Sequence, residues 1–264
     1  MQTPQRGFSL GDGPGNGTDL GAIYLMKKWW IGCSGFHYKN WKNVFYPKDL
    51  PQRRWFEFYC EHFNTVELNV TFYRFPREAD LKSWYTRSPH DFRFTVKAPR
   101  LITHFKRFNN AKREIHDFYD TVAKGLKDKL GPILYQLHPG IKYSAEGLER
   151  ILSNLDPAFV NVIEFRHESW WRTQVVKELR SASVAFCGIS YPGLPENVHK
   201  TSSSVYYRFH GVPEIYRSSY RRQQLKAVVE KIRSMQKIED AYLYFNNDIE
   251  AAAVKNARTV QKMK

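Results

Sequence analysis

Val205-Tyr206-Tyr207-Arg208-Phe209-His210-Gly211 sets two aromatic rings, Tyr207 and Phe209, at one parity and two ionisable groups, Arg208 and His210, at the other. Successive side chains of a β-strand point to opposite faces, so this stretch predicts a strand with one apolar and one ionic face. Residues 162–167 repeat the pattern, with Ile163 and Phe165 interleaving Glu164 and Arg166. So do residues 65–70, where Val66, Leu68 and Val70 interleave Glu67 and Asn69. Residues 92–98 set Phe94, Val96 and Ala98 against Thr95 and Lys97, and 133–138 set Ile133, Tyr135 and Leu137 against Gln136 and His138. Residues 241–247 set Leu243 and Phe245 against Tyr244 and Asn246, and 29–35 and 185–190 complete eight strand segments.

Helical periods separate them: Trp55, Phe56, Tyr59 and Phe63 after the first segment, and Leu225, Val228, Val229 and Ile232 after the seventh. Strands alternating with helices form βαβ units and a parallel sheet. Eight units in about 235 residues predict an α/β fold of the (β/α)8 TIM-barrel class, which typically takes roughly 250. An open sheet binding a dinucleotide would carry Gly-x-Gly-x-x-Gly after its first strand. Here Gly32-Cys33-Ser34-Gly35 runs into Phe36, His37 and Tyr38 instead.

The chain has 264 residues, of which 42% are hydrophobic and 25% charged, the mixture of a globular protein. Its formal charge of +15 favours polyanions. Three cysteines without a Cys-x-x-Cys pair argue against a disulfide framework or zinc ribbon and predict a reducing, cytoplasmic setting. No apolar run reaches the roughly 18 residues of a membrane span, so no membrane partner is expected. Residues 1–25 hold six of the 15 glycines without a hydrophobic period. They read as a flexible N-terminal extension or an appended leader, leaving 26–264 as a single TIM-barrel domain.

In a barrel, one strand parity faces the helices and the other faces inward. The inward parity here carries Glu67, Asn69, Lys97, Gln136, Glu164, Arg166, Arg208, His210 and Asn246, gathered toward the C-terminal mouth where barrel enzymes keep their chemistry. Buried charges cost several kcal/mol each unless they are paired or bind something. One reading is an internal lattice of ion pairs. The other is an active centre in which Lys97, Arg166 and Arg208 clamp phosphate, Glu164 or Glu67 acts as general base and His210 as general acid. Asn69, Gln136, Asn246 and Tyr73 would then orient substrate. Three cations against two carboxylates leave one positive charge for an anion to balance.

The segments after the strands are aromatic and basic. Trp41 and Trp170 are candidate stacking platforms, and Arg100, Lys106, Arg107, Lys112 and Arg113 form a run without an acid. Cations interleaved with aromatic faces suit single-stranded nucleic acid. Glu67, Glu164, His210 and His138 are candidate ligands of a divalent metal, but Lys97, Arg166 and Arg208 would repel a cation and there is no His-Glu-x-x-His. No cofactor is therefore assigned, and a divalent metal stays open as the lesser alternative. Ser34 lacks the Gly-x-Ser-x-Gly elbow of a serine nucleophile.

Seven ordered motifs carry a resemblance. They are Gly32-Cys33-Ser34-Gly35-Phe36 with Trp41; Phe63-Asn64-Thr65-Val66-Glu67-Leu68-Asn69; Thr71-Phe72-Tyr73-Arg74; Leu130-Gly131-Pro132 with Gln136-Leu137; Glu164-Phe165-Arg166-His167 with Trp170; Tyr207-Arg208-Phe209-His210-Gly211; and Tyr244-Phe245-Asn246-Asn247. Over about residues 30–257 the chain resembles the YecE-like family, domain of unknown function 72. The resemblance implies a TIM barrel similar to those of the xylose-isomerase and endonuclease-IV type, and names no reaction. His138 and the run Ala251 to Ala253 depart from the family pattern. Three functions remain open: an enzyme on a phosphate-bearing substrate, plausibly nucleic acid; a non-catalytic nucleic-acid-binding module; or a sugar or sugar-phosphate isomerase or lyase. Nothing identifies a protein partner.

Overall fold

The computed structural model describes residues 28–264, so the 1–25 extension lies outside the described residues. Its strands are β1 (Lys28–Cys33), β2 (Thr65–Leu68), β3 (Arg93–Lys97), β4 (Leu130–Gln136), β5 (Asn161–Glu164), β6 (Ala185–Phe186), β7 (Gly188–Ser190), β8 (Ser204–Phe209) and β9 (Asp240–Phe245). All pairings are parallel, in the orders β1-β9-β8-β7 and β2-β3-β4-β5-β6. The ladders thus form two sheets, of four and five strands, where the sequence predicts one closed sheet.

The division falls inside the sixth predicted segment. Ala185 and Phe186 pair with β5, while Gly188 to Ser190 pair with β8. Cys187 lies between, and its N–H still donates to Ile163 O at 2.9 Å. A Cβ on Gly188 would lie 2.5 Å from the Tyr207 ring, so the close approach of β7 to β8 requires glycine there. At the opposite edges, side chains replace the ladder between β1 and β2. Asn64 donates to Trp29 O at 2.8 Å and accepts from Ile31 N at 3.2 Å. The Tyr59 hydroxyl accepts from Cys33 N at 2.8 Å and donates to Thr65 O at 3.0 Å.

The helices are α1 (Trp55–His62), α2 (Val70–Tyr73), α3 (Glu78–Arg87), α4 (Lys112–Leu126), α5 (Ala145–Leu152), α6 (Thr173–Ser181), α7 (Arg222–Arg233) and α8 (Ala252–Gln261). In α4 the buried set Ile115, Phe118, Tyr119, Val122 and Leu126 recurs at helical spacing and faces the strands. Ser144 caps α5 by accepting from Gly147 N at 3.0 Å. Helices and strands do not match one to one, because two helices follow β2 and residues 191–203 connect β7 to β8 without one. Val70, expected on the apolar face of the second strand, opens α2 and is exposed. The strand stops early because the Thr71 hydroxyl reaches Leu68 O at 2.9 Å and Lys97 O at 2.6 Å, folding the chain back.

Two buried layers follow the parities. Val66, Leu68, Phe94, Val96, Ile133, Tyr135, Leu137, Ile163, Phe165, Tyr207, Phe209, Leu243 and Phe245 belong to the main core with the helices. Trp30, Leu134, Val162, Ala185, Cys187, Ile189, Tyr206, Tyr242 and Tyr244 form a second cluster on the other side of the strands. The Tyr244 hydroxyl sits 2.5 Å from Thr65 Oγ1 and 2.8 Å from Thr95 Oγ1. The parity that carries Arg208 is therefore ionic in its later half, with aromatic and aliphatic side chains packed before it.

Candidate functional site

Side chains at the ends of β2, β3, β5 and β8, with their immediate successors, converge on one buried polar layer. Arg208 is its centre. One guanidinium nitrogen, Nη2, donates to Glu67 Oε1 at 2.6 Å, and Nη1 donates to Glu164 Oε2 at 2.5 Å. Glu67 Oε2 also accepts from the Tyr206 hydroxyl at 2.5 Å. Burial disfavours the Arg208 charge, but Glu164 and Glu67 outweigh it and raise its pKa well above the ordinary value.

The other oxygen of Glu164 meets Arg166 Nε at 2.5 Å and His210 Nε2 at 3.1 Å. Asn246 Nδ2 lies 3.1 Å from His210 Nδ1. His210 Nε2 also lies 3.2 Å from Arg166 Nη2 and 3.4 Å from Arg208 Nη1, so the tautomer decides whether Nε2 donates to Glu164 or accepts from a guanidinium. Burial, then Arg166 and Arg208, hold the His210 pKa well below its ordinary value, so the ring is neutral. For Glu164, burial works upward, yet Arg166, Arg208 and His210 overcome it and hold the carboxyl well below the usual range. These fields oppose the expected acid–base pair. At neutral pH Glu164 is a weak proton acceptor and His210 carries no proton surplus to donate.

Lys97 stands apart from the carboxylates. Its Nζ donates to Gln136 Oε1 at 2.7 Å and lies 4.2 Å from the centre of the Phe72 ring. Arg166 Nη2 approaches the same Gln136 oxygen at 3.4 Å, while its guanidinium carbon lies 4.4 Å over the Tyr191 ring. Two cations therefore converge on one neutral acceptor. Burial, followed by the charge of Arg208, lowers the Lys97 pKa to about 7. Lys97 and Arg166 are 8% and 9% exposed, whereas Glu67, Glu164 and His210 are fully buried, so the two cations stand nearest solvent.

Asn69 reaches the layer by donating to Ser34 O at 3.2 Å, and Ser34 Oγ lies 3.5 Å from Arg208 Nη2. Asn69 also lines a cleft of about 460 Å3, mostly apolar, between the loops after β1 and β2, with Phe36, Phe56, Leu68 and Trp84 among its walls. Tyr73 is not part of the layer: it is exposed beside Arg100. Trp41 and Trp170 offer no stacking face, because both are fully buried. Trp170 Nε1 donates to Ile141 O at 2.8 Å and its ring stacks on Phe165 at 4.3 Å; Trp41 Nε1 donates to Asp248 O at 3.3 Å. They fasten loops. His138 is exposed, accepting from Gly140 N at 3.0 Å, and leaves the metal-ligand set incomplete. Among the described residues no group of three or more His, Cys, Asp or Glu could hold a metal ion.

Sequence reasoning gave no role to Tyr206 or Tyr191, and Phe72 entered it only within the motif Thr71-Phe72-Tyr73-Arg74. Tyr206 shares the parity of Arg208 and His210, so that register could have found it; Phe72 and Tyr191 lie beyond their strands, where parity no longer applies. Among the described residues no helix is long and apolar enough to cross a membrane.

The chain resembles several known proteins. It is 23% identical to UPF0759 protein YunF of Bacillus subtilis, over 89% of this chain and 94% of YunF. It is 29% identical to UPF0759 protein YecE of Escherichia coli K12, over 44% of this chain and 42% of YecE. The crystal structure of a DUF72 family protein from Thermotoga maritima superposes with a TM-score of 0.80 at 28% identity, covering 89% of this chain and 98% of that one. A DUF72 family protein from Enterococcus faecalis, at 19% identity and a TM-score of 0.76, shares the fold over 89% of this chain and 94% of its own. The model for the protein of unknown function DUF72 matches residues 30–264, and this chain belongs to that family.

Proposed function

We propose that the two sheets are halves of one barrel and that its polar layer binds a small phosphate-bearing substrate at the C-terminal ends of the strands. The observation that carries the reading is the convergence of Lys97 and Arg166 on Gln136 Oε1, an acceptor without charge. With His210 neutral and Lys97 in its protonated form, three cations face two carboxylates, and both carboxylates are already engaged by Arg208. A bound anion would supply the missing negative charge and accept from the free hydrogens of the Lys97 ammonium and the Arg166 fork. Closure of the barrel is supported by Arg208, which from β8 reaches Glu67 and Glu164, the one in β2 and the other in β5.

The test is a thermal-shift titration with inorganic phosphate and ribose 5-phosphate. Wild type should be protected, and Lys97→Met and Arg166→Gln should each lose at least about tenfold in affinity, as expected for deleting a charge-assisted hydrogen bond. Equal protection of wild type and both variants would overturn the reading. Arg208 is unsuited to this test because removing it strands two buried carboxylates.

A second reading, a surface for single-stranded nucleic acid, is favoured by Arg100. Its guanidinium lies 5.8 Å from the Tyr73 ring and 5.4 Å from the Phe105 ring, both rings about two-thirds exposed. Affinity for an oligonucleotide should then fall linearly in log–log form as salt rises, and Tyr73→Ala with Phe105→Ala should weaken it. A flat salt response removes this reading and leaves the first untouched.

A further inference from the structure

The described residues include two buried lysines, and they are used differently. Lys129 Nζ donates to Tyr85 O at 2.7 Å, Ser88 O at 2.8 Å and Ser88 Oγ at 3.0 Å, so all three ammonium hydrogens are spoken for. It pins the end of α3. Lys97 Nζ has the single acceptor Gln136 Oε1, lies against the face of Phe72, and makes no ion pair with any described carboxylate. Glu164 and Glu67 are turned instead toward Arg166 and Arg208. The arrangement surrounds a buried amine with arginine charge and directs the neutralising carboxylates elsewhere, which favours the uncharged, nucleophilic form.

We propose that Lys97 is a nucleophile that forms an imine with a small carbonyl compound whose anionic group rests on Arg166. This deepens the anion-site reading and rests on it. Lys97 and Arg166 approach one Gln136 oxygen, so an anion and a carbonyl separated by only a few bonds can meet both. The amine nitrogen attacks the carbonyl carbon, and the C–N bond forms as the C=O π pair moves to oxygen. The two amine hydrogens leave with that oxygen as water, giving the C=N bond with no oxidant or reductant. The lowering of the Lys97 pKa to about 7, by burial and then by Arg208, means that a sizeable share of the amine is uncharged at neutral pH. Lys129, with its three acceptors, serves as the internal control.

The experiment is reductive trapping at neutral pH with sodium borohydride, using pyruvate in one arm and glyceraldehyde 3-phosphate in the other, read by intact mass and peptide mapping. Borohydride delivers hydride to the imine carbon and leaves a stable secondary amine. The expected result is an adduct on the peptide containing Lys97, roughly tenfold above any surface lysine, in at least one arm. The carboxylate and phosphate arms show which anion the site takes. Lys97→Met should remove that adduct while surface labelling stays as it was. Labelling confined to surface lysines in the wild-type protein overturns the proposal, and needs no variant to fold. If phosphate still protects the protein in that case, the imine fails and the anion site stands; if phosphate gives no protection, it is the anion site that fails.

Discussion

Arg208 Nη1 and Glu164 Oε2 lie 2.5 Å apart, joining β8 of one sheet to β5 of the other through a fully buried ion pair. A charge pair taken out of water is stable only while both members remain. Arg208→Met should therefore destabilise the protein by about 3–5 kcal/mol in urea unfolding, since it leaves Glu67 and Glu164 without their shared cation. Adding Glu67→Gln and Glu164→Gln should recover most of the loss. A cost below about 1 kcal/mol for the single variant would mean the pair does not hold the sheets together.

The pH response of Lys97 follows from its lowered pKa of about 7. Above that value the folded protein has released the proton while the unfolded chain, with an ordinary lysine, still holds it. Unfolding then takes up a proton, and stability rises with pH from about 7 toward the usual lysine range. Lys97→Met should flatten that rise, as seen in urea midpoints measured from about pH 6 to about pH 9. Phosphate affinity should move oppositely, weakening as pH climbs through about 7 because the ammonium is lost. Parallel stability curves for wild type and variant would show that Lys97 is not the titrating group.

Tyr59 bridges Cys33 N and Thr65 O across an edge that has no ladder of its own. Tyr59→Phe keeps the ring but leaves a buried N–H and a buried carbonyl unmatched, at a cost of about 1–3 kcal/mol. Hydrogen exchange should locate the change, with faster exchange at the Cys33 amide and little effect at Leu137, whose N–H donates to Glu164 O. Unaltered protection at Cys33 would show that the edge is held by other contacts.

The alternation of side chains was enough to bring Glu67, Lys97, Glu164, Arg166, Arg208 and His210 to one place, because register along a strand is a local property. It did not reveal the break at Cys187, where the chain passes from β5 to β8 as partner. It did not reveal that Trp41 and Trp170 turn inward, since loop side chains have no parity and are fixed by whichever carbonyl they find. The roles within the layer were beyond it too. Whether Glu164 is a base depends on two guanidiniums from different strands, and the sum of those fields exists only in three dimensions.

Tyr206, Tyr242 and Tyr244 lie packed with Trp30 beneath the ionic layer, and Tyr244 is tied to Thr65 and Thr95. With Leu134, Val162, Ala185, Cys187 and Ile189 these rings make an apolar floor on that side of the layer. An apolar floor of this kind keeps the local dielectric low, so the ion pairs of the layer attract more strongly than they would in contact with water.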